Sequence, residues 1–201
     1  MGRRAIFMDR DGTVCEEVGY VNHVDRIRLL PRSAAAIKAA NDAGYQTVVV
    51  TNQAGVARGY FAESLVDDVH DRVRELLAEQ GARLDGIYFC PHHPDDGCRC
   101  RKPNIGMVER AVSELQLDLR RSYLIGDHAR DIQLAHRVGA KAILITTSLV
   151  DAQALDRLKS EQAMPDAVAK SMSEAVDWIL NDAAMSAKGR DEREKRERQE
   201  S

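Results

Sequence analysis

The sequence predicts an α/β domain built on a parallel sheet with helices on both faces, and three observations carry that prediction. Short apolar, β-branched runs alternate along the chain with longer segments of helical periodicity, which is the order of repeated βα units. Those runs are apolar throughout instead of at every second residue, as in strands covered on both sides by helices. The chain has 201 residues, enough for one core and short for two. The expected architecture is a three-layer, Rossmann-like domain over residues 1–187 with a charged tail over 188–201. No insertion between strands is long enough to fold as a large cap domain.

Each element follows from local chemistry. Ala5–Met8 is the first strand, and the stretch from Val14 to Leu30 behind it is too long for a tight βα turn, so it is expected as a hairpin or flap over the site. Ser33 is placed as the cap of a helix running to about Ala43, with Gly44 as its stop. Thr47–Thr51 is the second strand, and a second helix runs from about Glu63 to Gln80 before Gly81. Gly86–Cys90 is the third strand. The helix pattern after Asn104 carries Met107, Val108, Ala111, Val112 and Leu115 on one face, a stripe that belongs to a core. Ser122–Gly126, the helix Ala129–Val138 ahead of Gly139, and Lys141–Thr146 complete the alternation. Weaker helical patterns follow Ser148 and Ser171, with Trp178 expected against the body. Lys188–Ser201 holds six basic and five acidic residues and almost nothing apolar, so it is expected as a solvated or frayed tail that cannot offset its ordering entropy.

Composition excludes several classes. The balance of 29 Lys and Arg against 32 Asp and Glu, net charge −3, supplies no basic field for a nucleic acid. No apolar run approaches the roughly 18 residues of a membrane span. Only four apolar residues precede Asp9 directly, too few for a secretory core, so a cytoplasmic location is expected. Nine aromatic residues favour a monomer over an aromatic-rich interface.

Ligands of open parallel sheets bind beyond the carboxyl ends of the strands, and the predicted strand ends are polar. The first leads into Asp9-Arg10-Asp11-Gly12-Thr13, the second into Thr51-Asn52-Gln53, the third ends in Cys90, and the fourth reaches Gly126-Asp127 with Asp131 beyond. Asp9 and Asp11, two residues apart, point to one side of an extended chain. Two adjacent carboxylates need a counter-charge. A hard divalent cation supplies it, with Asp127 as a third ligand, and the oxygen set suits Mg²⁺. A calcium loop is excluded, because counted from Asp9 the sixth residue is Val14 and the twelfth Tyr20, where such a loop needs Gly and Glu. A plain Asp-Gly turn does not explain why an apolar strand delivers Asp9. Lys102, beside Arg101 and ahead of a helix, brings the positive charge an anionic substrate requires, and neither a phosphate-binding P-loop nor a dinucleotide fingerprint occurs.

A second cluster is soft. Cys90-Pro91-His92-His93 followed by Cys98-Arg99-Cys100 offers three thiolates and an imidazole, a closed tetrahedral set for structural Zn²⁺. Spacing alone does not separate His92 from His93. Such a knot would pin the loop that carries Arg101 and Lys102, while Cys15 stands apart as a small packed residue.

Asp9-Arg10-Asp11-Gly12-Thr13, Thr51, Lys102 and Gly126-Asp127 with Asp131 resemble, in order, the four motifs of haloacid dehalogenase-like phosphatases. The resemblance implies that Asp9 is a nucleophile forming an aspartyl-phosphate, and that Asp11 protonates the leaving oxygen and then activates water. It implies Mg²⁺ on Asp9, the backbone carbonyl of Asp11 and Asp127; Thr51 and Lys102 on the phosphoryl group; and Asp131 orienting Lys102 or a metal-bound water. The Cys-x-His, Cys-x-Cys and Arg-Lys-Pro sequence, with Gly19-Tyr20-Val21 and the run from Thr51 to Gly59, is similar to a subfamily of phosphatases acting on D-glycero-D-manno-heptose 1,7-bisphosphate and to related histidinol-phosphatases. That similarity favours His92 as the zinc ligand. It also implies a small-molecule substrate, a sugar bisphosphate losing its 7-phosphate, with Arg101 on the second phosphate. The groove it implies is Glu17, Val18, Gly19, Tyr20, Asn52, Gln53, Ala54, Arg101 and His128, the last standing where the heptose group commonly has Lys. Histidinol phosphate is the alternative substrate, and a phospho-accepting receiver-type switch the alternative from another class.

Overall fold

In the computed structural model, which describes residues 2–146, 156 and 158–199 and side chains as far as Ser186, six parallel strands form one sheet. They are Ala5–Met8 (β1), Gln46–Asn52 (β2), Gly86–Cys90 (β3), Tyr123–Gly126 (β4), Lys141–Ile145 (β5) and Ala167–Ala169 (β6). Their order across the sheet is β3-β2-β1-β4-β5-β6. The chain therefore winds outward from β1 in one direction, returns, and winds outward in the other. β1 and β4 lie side by side where the direction reverses, with Phe7 facing Val48 on one side and Leu124 on the other. That reversal is where such sheets open a crevice for ligand.

The helices are Ser33–Asp42 (α1), Glu63–Ala78 (α2), Gly106–Leu115 (α3), Ala129–Val138 (α4) and Met172–Gln199 (α5). Alternate residues of the strands serve opposite layers. Ile6, Met8, Val49, Ile125 and Ile143 pack with Ile37 of α1, Val69, Val73 and Leu77 of α2, and Val176 and Ile179 of α5. Ala5, Phe7, Val48, Val50, Leu124 and Leu144 pack on the other side with Met107, Val108 and Ala111 of α3 and Ile132, Leu134 and Ala135 of α4. Each such large side chain contributes about 1.5–3 kcal/mol by leaving water, so both layers press on the strands that carry the polar ends.

The three-layer reading holds, and the differences are local. β6 is three residues long and follows no clear periodicity, so nothing in its sequence marks it. Ser33 is not the cap of α1: Arg32, in the left-handed region at φ 65°, takes that position and Ser33 is the first helical residue, buried. Residues 14–30 form an excursion tied at its neck. Cys15 bridges Asp11 and Leu29, Glu16 N donates to Arg28 O at 2.9 Å, and Leu30 N donates to Val14 O at 3.0 Å. Val14, Cys15, Val21 and Ile27 are buried beneath it. Burial pushes the Cys15 thiol up to about 12, as suits a packing residue. The helical pattern after Ser148 falls largely outside the described residues. Trp178 packs edge-on against Tyr123, ring centroids 6.3 Å apart. α5 continues to Gln199, through the stretch whose composition predicts a frayed tail. Arg, Lys and Glu are good helix formers, and in the sequence Glu192 with Arg196 and Glu194 with Arg198 stand at the i, i+4 spacing that favours a helix. Among the described residues, no helix is long and apolar enough to cross a membrane.

Candidate active site

Asp9 leaves β1 while its own N–H still pairs with Ile125 O of β4 at 3.0 Å, which places its carboxyl just past the strand ends, 5% exposed. The chain then turns back at Gly12, φ +76°, where an added Cβ would collide with the carboxylate of Asp127. Only glycine lets this turn lie against the residue that follows β4. Gly126 has the same kind of constraint, because a Cβ there would occupy the position of Asp131. The two glycines thus let the segments after β1 and β4 lie close, and Asp9, Asp127 and Asp131 stand together there.

Lys102 stands at the centre. Its side chain is fully buried, with Nζ 2.8 Å from Asp9 Oδ2 and 2.6 Å from Asp131 Oδ1. Burial alone would lower the ammonium pKa, but Asp131 and Asp9 outweigh it and hold it above the ordinary lysine value. Burial raises the carboxyl of Asp131, opposed by Lys102 and assisted by Asp9. Asp131 also accepts from His128 N at 3.2 Å and caps α4. Of the two tasks implied for Asp131, its contact is with Lys102. The main chain of Lys102 is held in turn by Asn52, whose Oδ1 accepts from Lys102 N at 3.0 Å and whose Nδ2 donates to Lys102 O at 3.3 Å. Asn52, expected in the groove, thus spends its amide on the position of Lys102.

Thr51 is buried at the end of β2, and Gln53 Nε2 donates both to Thr51 Oγ1 and to Asp11 Oδ2, each at 2.9 Å. Asp11 is also gripped by its neighbour: Arg10 Nε and Nη2 donate to Asp11 Oδ1 and Oδ2 at 2.9 and 2.8 Å. On the far side Arg10 Nη1 lies 3.4 Å from His70 Nε2. Asp127 Oδ1 lies 3.0 Å from His128 Nδ1, and Thr13 Oγ1 donates to it at 3.5 Å. The hydrogen bond to Asp127 raises the pKa of His128, whose side chain is half-exposed.

One carboxylate oxygen each from Asp9, Asp127 and Asp131 and a ring nitrogen of His128 lie within 4.8 Å of one another. Asp131 is already matched by Lys102. Asp9 and Asp127 therefore present the hard oxygens that suit a small divalent cation, in the space that Gly12 keeps clear.

Glu17 Oε1 accepts from Gly19 N at 2.7 Å, Val18 packs against the core, and Tyr20, 45% exposed, meets Tyr60 edge-on with ring centroids 4.6 Å apart. Ala54 is half-buried beside Gln53. Arg101 Nη1 is buried with no acceptor among the described residues, a donor free for an anion.

The second cluster assembles as its spacing predicts. Cys90 Sγ lies 3.6 Å from Cys98 Sγ and 3.5 Å from His92 Nδ1, Cys100 Sγ lies 3.6 Å from Cys98 Sγ and 3.1 Å from His92 Nδ1, and all four cysteines of the chain are free. A tetrahedral ion with sulfur at about 2.3 Å spaces its ligands by about 3.8 Å, whereas a disulfide needs about 2.05 Å. His93 points away: its Nδ1 accepts from Asp95 N at 3.4 Å and caps the turn Pro94–Asp96. The geometry therefore separates the two histidines where spacing does not. Reasoning on the sequence misses Arg10, His70 and Tyr60. Arg10 lies inside the first motif and is read past, and His70 is one residue of the buried stripe of α2 with Val66, Val69, Val73 and Leu77, with nothing periodic to mark it.

Comparison with known proteins agrees with this geometry. The haloacid dehalogenase-like hydrolase profile matches residues 6–136, and a HAD-hydrolase-like profile matches 99–175. The D-glycero-D-manno-heptose-1,7-bisphosphate 7-phosphatase of Thermosynechococcus vestitus is 39% identical over 195 residues, covering 92% of this chain and 99% of that protein. The D-glycero-beta-D-manno-heptose-1,7-bisphosphate 7-phosphatase of Escherichia coli K12 is 35% identical, covering 90% of each. Among solved structures, the D,D-heptose 1,7-bisphosphate phosphatase from B. bronchiseptica complexed with magnesium and phosphate superposes with a TM-score of 0.77 at 31% identity, covering 89% of this chain and 99% of that one.

Proposed function

The chain belongs to the haloacid dehalogenase-like hydrolase family, and on that premise we propose that it is a Mg²⁺-dependent phosphatase removing the 7-phosphate of D-glycero-D-manno-heptose 1,7-bisphosphate. The observation that carries this reading is Asp9, fixed by a fully buried Lys102 at 2.8 Å, with Asp127 beside it, Asp11 two residues on and the unpaired Nη1 of Arg101 next to Lys102 in sequence. The names of the relatives, which share a third or more of their residues with nearly the whole chain, support the heptose substrate.

Asp9 attacks phosphorus and forms an aspartyl-phosphate while Asp11 gives its proton to the departing sugar oxygen. Asp11 then takes a proton from the water that releases phosphate, so one carboxyl serves both half-reactions. Lys102 and Thr51 hold the phosphoryl oxygens as charge spreads over them. Asp9, the carbonyl of Asp11 and Asp127 would hold Mg²⁺, which when bound supplies the positive charge that screens the nucleophile from an anionic ester. Arg101 takes the second phosphate, and Glu17 to Tyr20, Asn52 to Ala54 and His128 border the sugar. Cys90, His92, Cys98 and Cys100 hold a structural Zn²⁺ that fixes the loop before Arg101 and Lys102. The catalytic body is residues 1–187, working as a cytoplasmic monomer, with 188–201 outside it.

The test is ³¹P NMR of purified protein with Mg²⁺ on heptose 1,7-bisphosphate beside histidinol phosphate. The expected result is loss of the 7-phosphate resonance with the 1-phosphate retained and slow turnover of the amine substrate. Faster turnover of histidinol phosphate transfers the assignment to that substrate, and a stable phosphoprotein without turnover transfers it to a receiver-type switch.

A further inference from the structure

Arg10 has no task in this chemistry, yet it is a charged side chain only 1% exposed, and a buried guanidinium persists only where its hydrogen bonds are met. Two of its nitrogens fork onto Asp11 at 2.9 and 2.8 Å, and the third lies 3.4 Å from His70 Nε2. Arginine is a donor only, so Nε2 of His70 is the acceptor and the imidazole carries its proton on Nδ1. Burial, with Arg10 and Arg74 adding to it, lowers the His70 pKa to about 3, which keeps the ring neutral and its lone pair available. α2 supplies the fixed point, because His70 lies in its buried stripe and its ring meets Phe89 edge-on with centroids 5.5 Å apart. The connection runs from helix to imidazole to guanidinium to carboxyl. Asp11 Oδ2 accepts from Arg10 and Gln53, while Oδ1 accepts from Arg10 alone among the described residues, leaving a lone-pair position on Oδ1 uncommitted.

We propose that Arg10 and His70 are a positioning pair for Asp11, fixing the plane of its carboxyl so that the free lone-pair position of Oδ1 meets the leaving-group oxygen of a phosphate ester. This rests on the phosphatase reading above. In the first half-reaction a bond forms between Asp9 Oδ and phosphorus, the bond from phosphorus to the leaving oxygen breaks, and the proton of Asp11 passes to that oxygen. A sugar alkoxide needs that proton and a nitrophenolate does not. In kcat/KM, which reports the steps through departure of the leaving group, a misplaced Asp11 therefore harms an alkyl ester and spares an aryl ester, whereas a merely loosened fold harms both alike. The effect of Asp11 on the water step common to both esters falls on kcat.

The experiment compares kcat/KM of wild type, His70→Leu, His70→Gln and Arg10→Lys on heptose 1,7-bisphosphate, an alkyl ester, and on p-nitrophenyl phosphate, with Mg²⁺. His70→Leu and Arg10→Lys are expected to lose about 10- to 100-fold more on the alkyl ester than on the aryl ester, a part of the roughly 10²–10⁴ that a general acid supplies. His70→Gln, whose amide oxygen accepts from Arg10, recovers most of that difference. Equal losses on both esters, or a glutamine variant no better than leucine, overturn the pair. A wild type inactive on both esters removes the phosphatase reading itself, a distinct result. Independently of how the variants fold, ¹⁵N NMR of wild-type His70 at neutral pH is expected to show a neutral ring protonated at Nδ1, and a ring protonated at Nε2 contradicts the proposal.

Discussion

The two clusters of candidate metal ligands are built on opposite principles. At the β1–β4 edge the carboxylates of Asp9 and Asp131 already have a counter-charge within the chain, Lys102 at 2.8 and 2.6 Å, and Gly12 and Gly126 fix how closely the segments approach. Around Cys90, His92, Cys98 and Cys100 the donors lie at tetrahedral separations with no ion pair to a lysine or arginine among the described residues, and three of the four come from a loop outside the strands. The first arrangement keeps its shape through its own ion pairs, and the second depends on what it binds. Losing an ion from the first should remove activity and spare the fold, and losing it from the second should do the reverse until the loop carrying Arg101 and Lys102 gives way.

The largest expected effect is on the oxygen side. Asp9→Asn removes the nucleophile, and kcat on any phosphate ester is expected to fall by about 10⁴ or more, with zinc content unchanged. Metal removal separates the two regions next. Mg²⁺ depletion should abolish turnover reversibly at nearly constant melting temperature, whereas Cys98→Ser should lower melting by more than about 5 °C, the size expected when about 2 kcal/mol is lost from a domain of this length, together with one equivalent of zinc by metal analysis. Gly12→Ala adds a methyl where Asp127 stands and strains a residue at φ +76°. Activity should then need about 100-fold more Mg²⁺, a loss of about 2.7 kcal/mol in binding, with zinc content unchanged.

A smaller effect concerns the wall behind Asp11. The folded His70 pKa, about 3, lies below its ordinary 6.5, so between those values the unfolded chain binds the extra proton. That stability is present above pH 6.5 and is lost as pH falls toward 3. His70→Gln should flatten the acid side of the urea-unfolding profile by about 2 kcal/mol between pH 6.5 and 4.5, and an unchanged slope would show that His70 is not buried as described. The smallest effect sharpens the sulfur side: His93→Ala removes only the cap of a short exposed turn, so zinc is retained and stability changes by about 1 kcal/mol or less, while His92→Ala loses the metal.

The core of the fold was legible because a parallel sheet leaves a strong signal. Val48, Val49 and Val50 are apolar on both faces since helices cover both, and that run cannot be mistaken for an amphipathic strand. β6, three residues at the sheet edge, is too short to produce such a signal. Ser33 carried the residue type of a cap, but Arg32 in the left-handed region took the position, because the chain's path out of the flap decides where the helix begins. At the site, candidate ligands were legible where chemistry restricts type and spacing, as at Asp9, Asp127 and the three cysteines, whose donor atoms the fold brings together. Residues that act by holding others were not. The resemblance places Asn52 and Gln53 in the groove, their amides also hold Lys102 and Asp11, and no spacing rule distinguishes an amide that meets substrate from one that fixes a neighbour. His70 has the periodicity of a core residue, and only its contact with Arg10 reveals more.

The central claim, that Asp9 carries the phosphoryl group, is tested most directly by trapping it. Protein turning over heptose 1,7-bisphosphate with Mg²⁺ is quenched, reduced with borohydride and analysed by peptide mass spectrometry. An acyl phosphate on Asp9 is reduced to homoserine at that position, and only when substrate and Mg²⁺ are both present. Homoserine at Asp11 or Asp127, or an unmodified Asp9 under conditions of full turnover, would contradict the account.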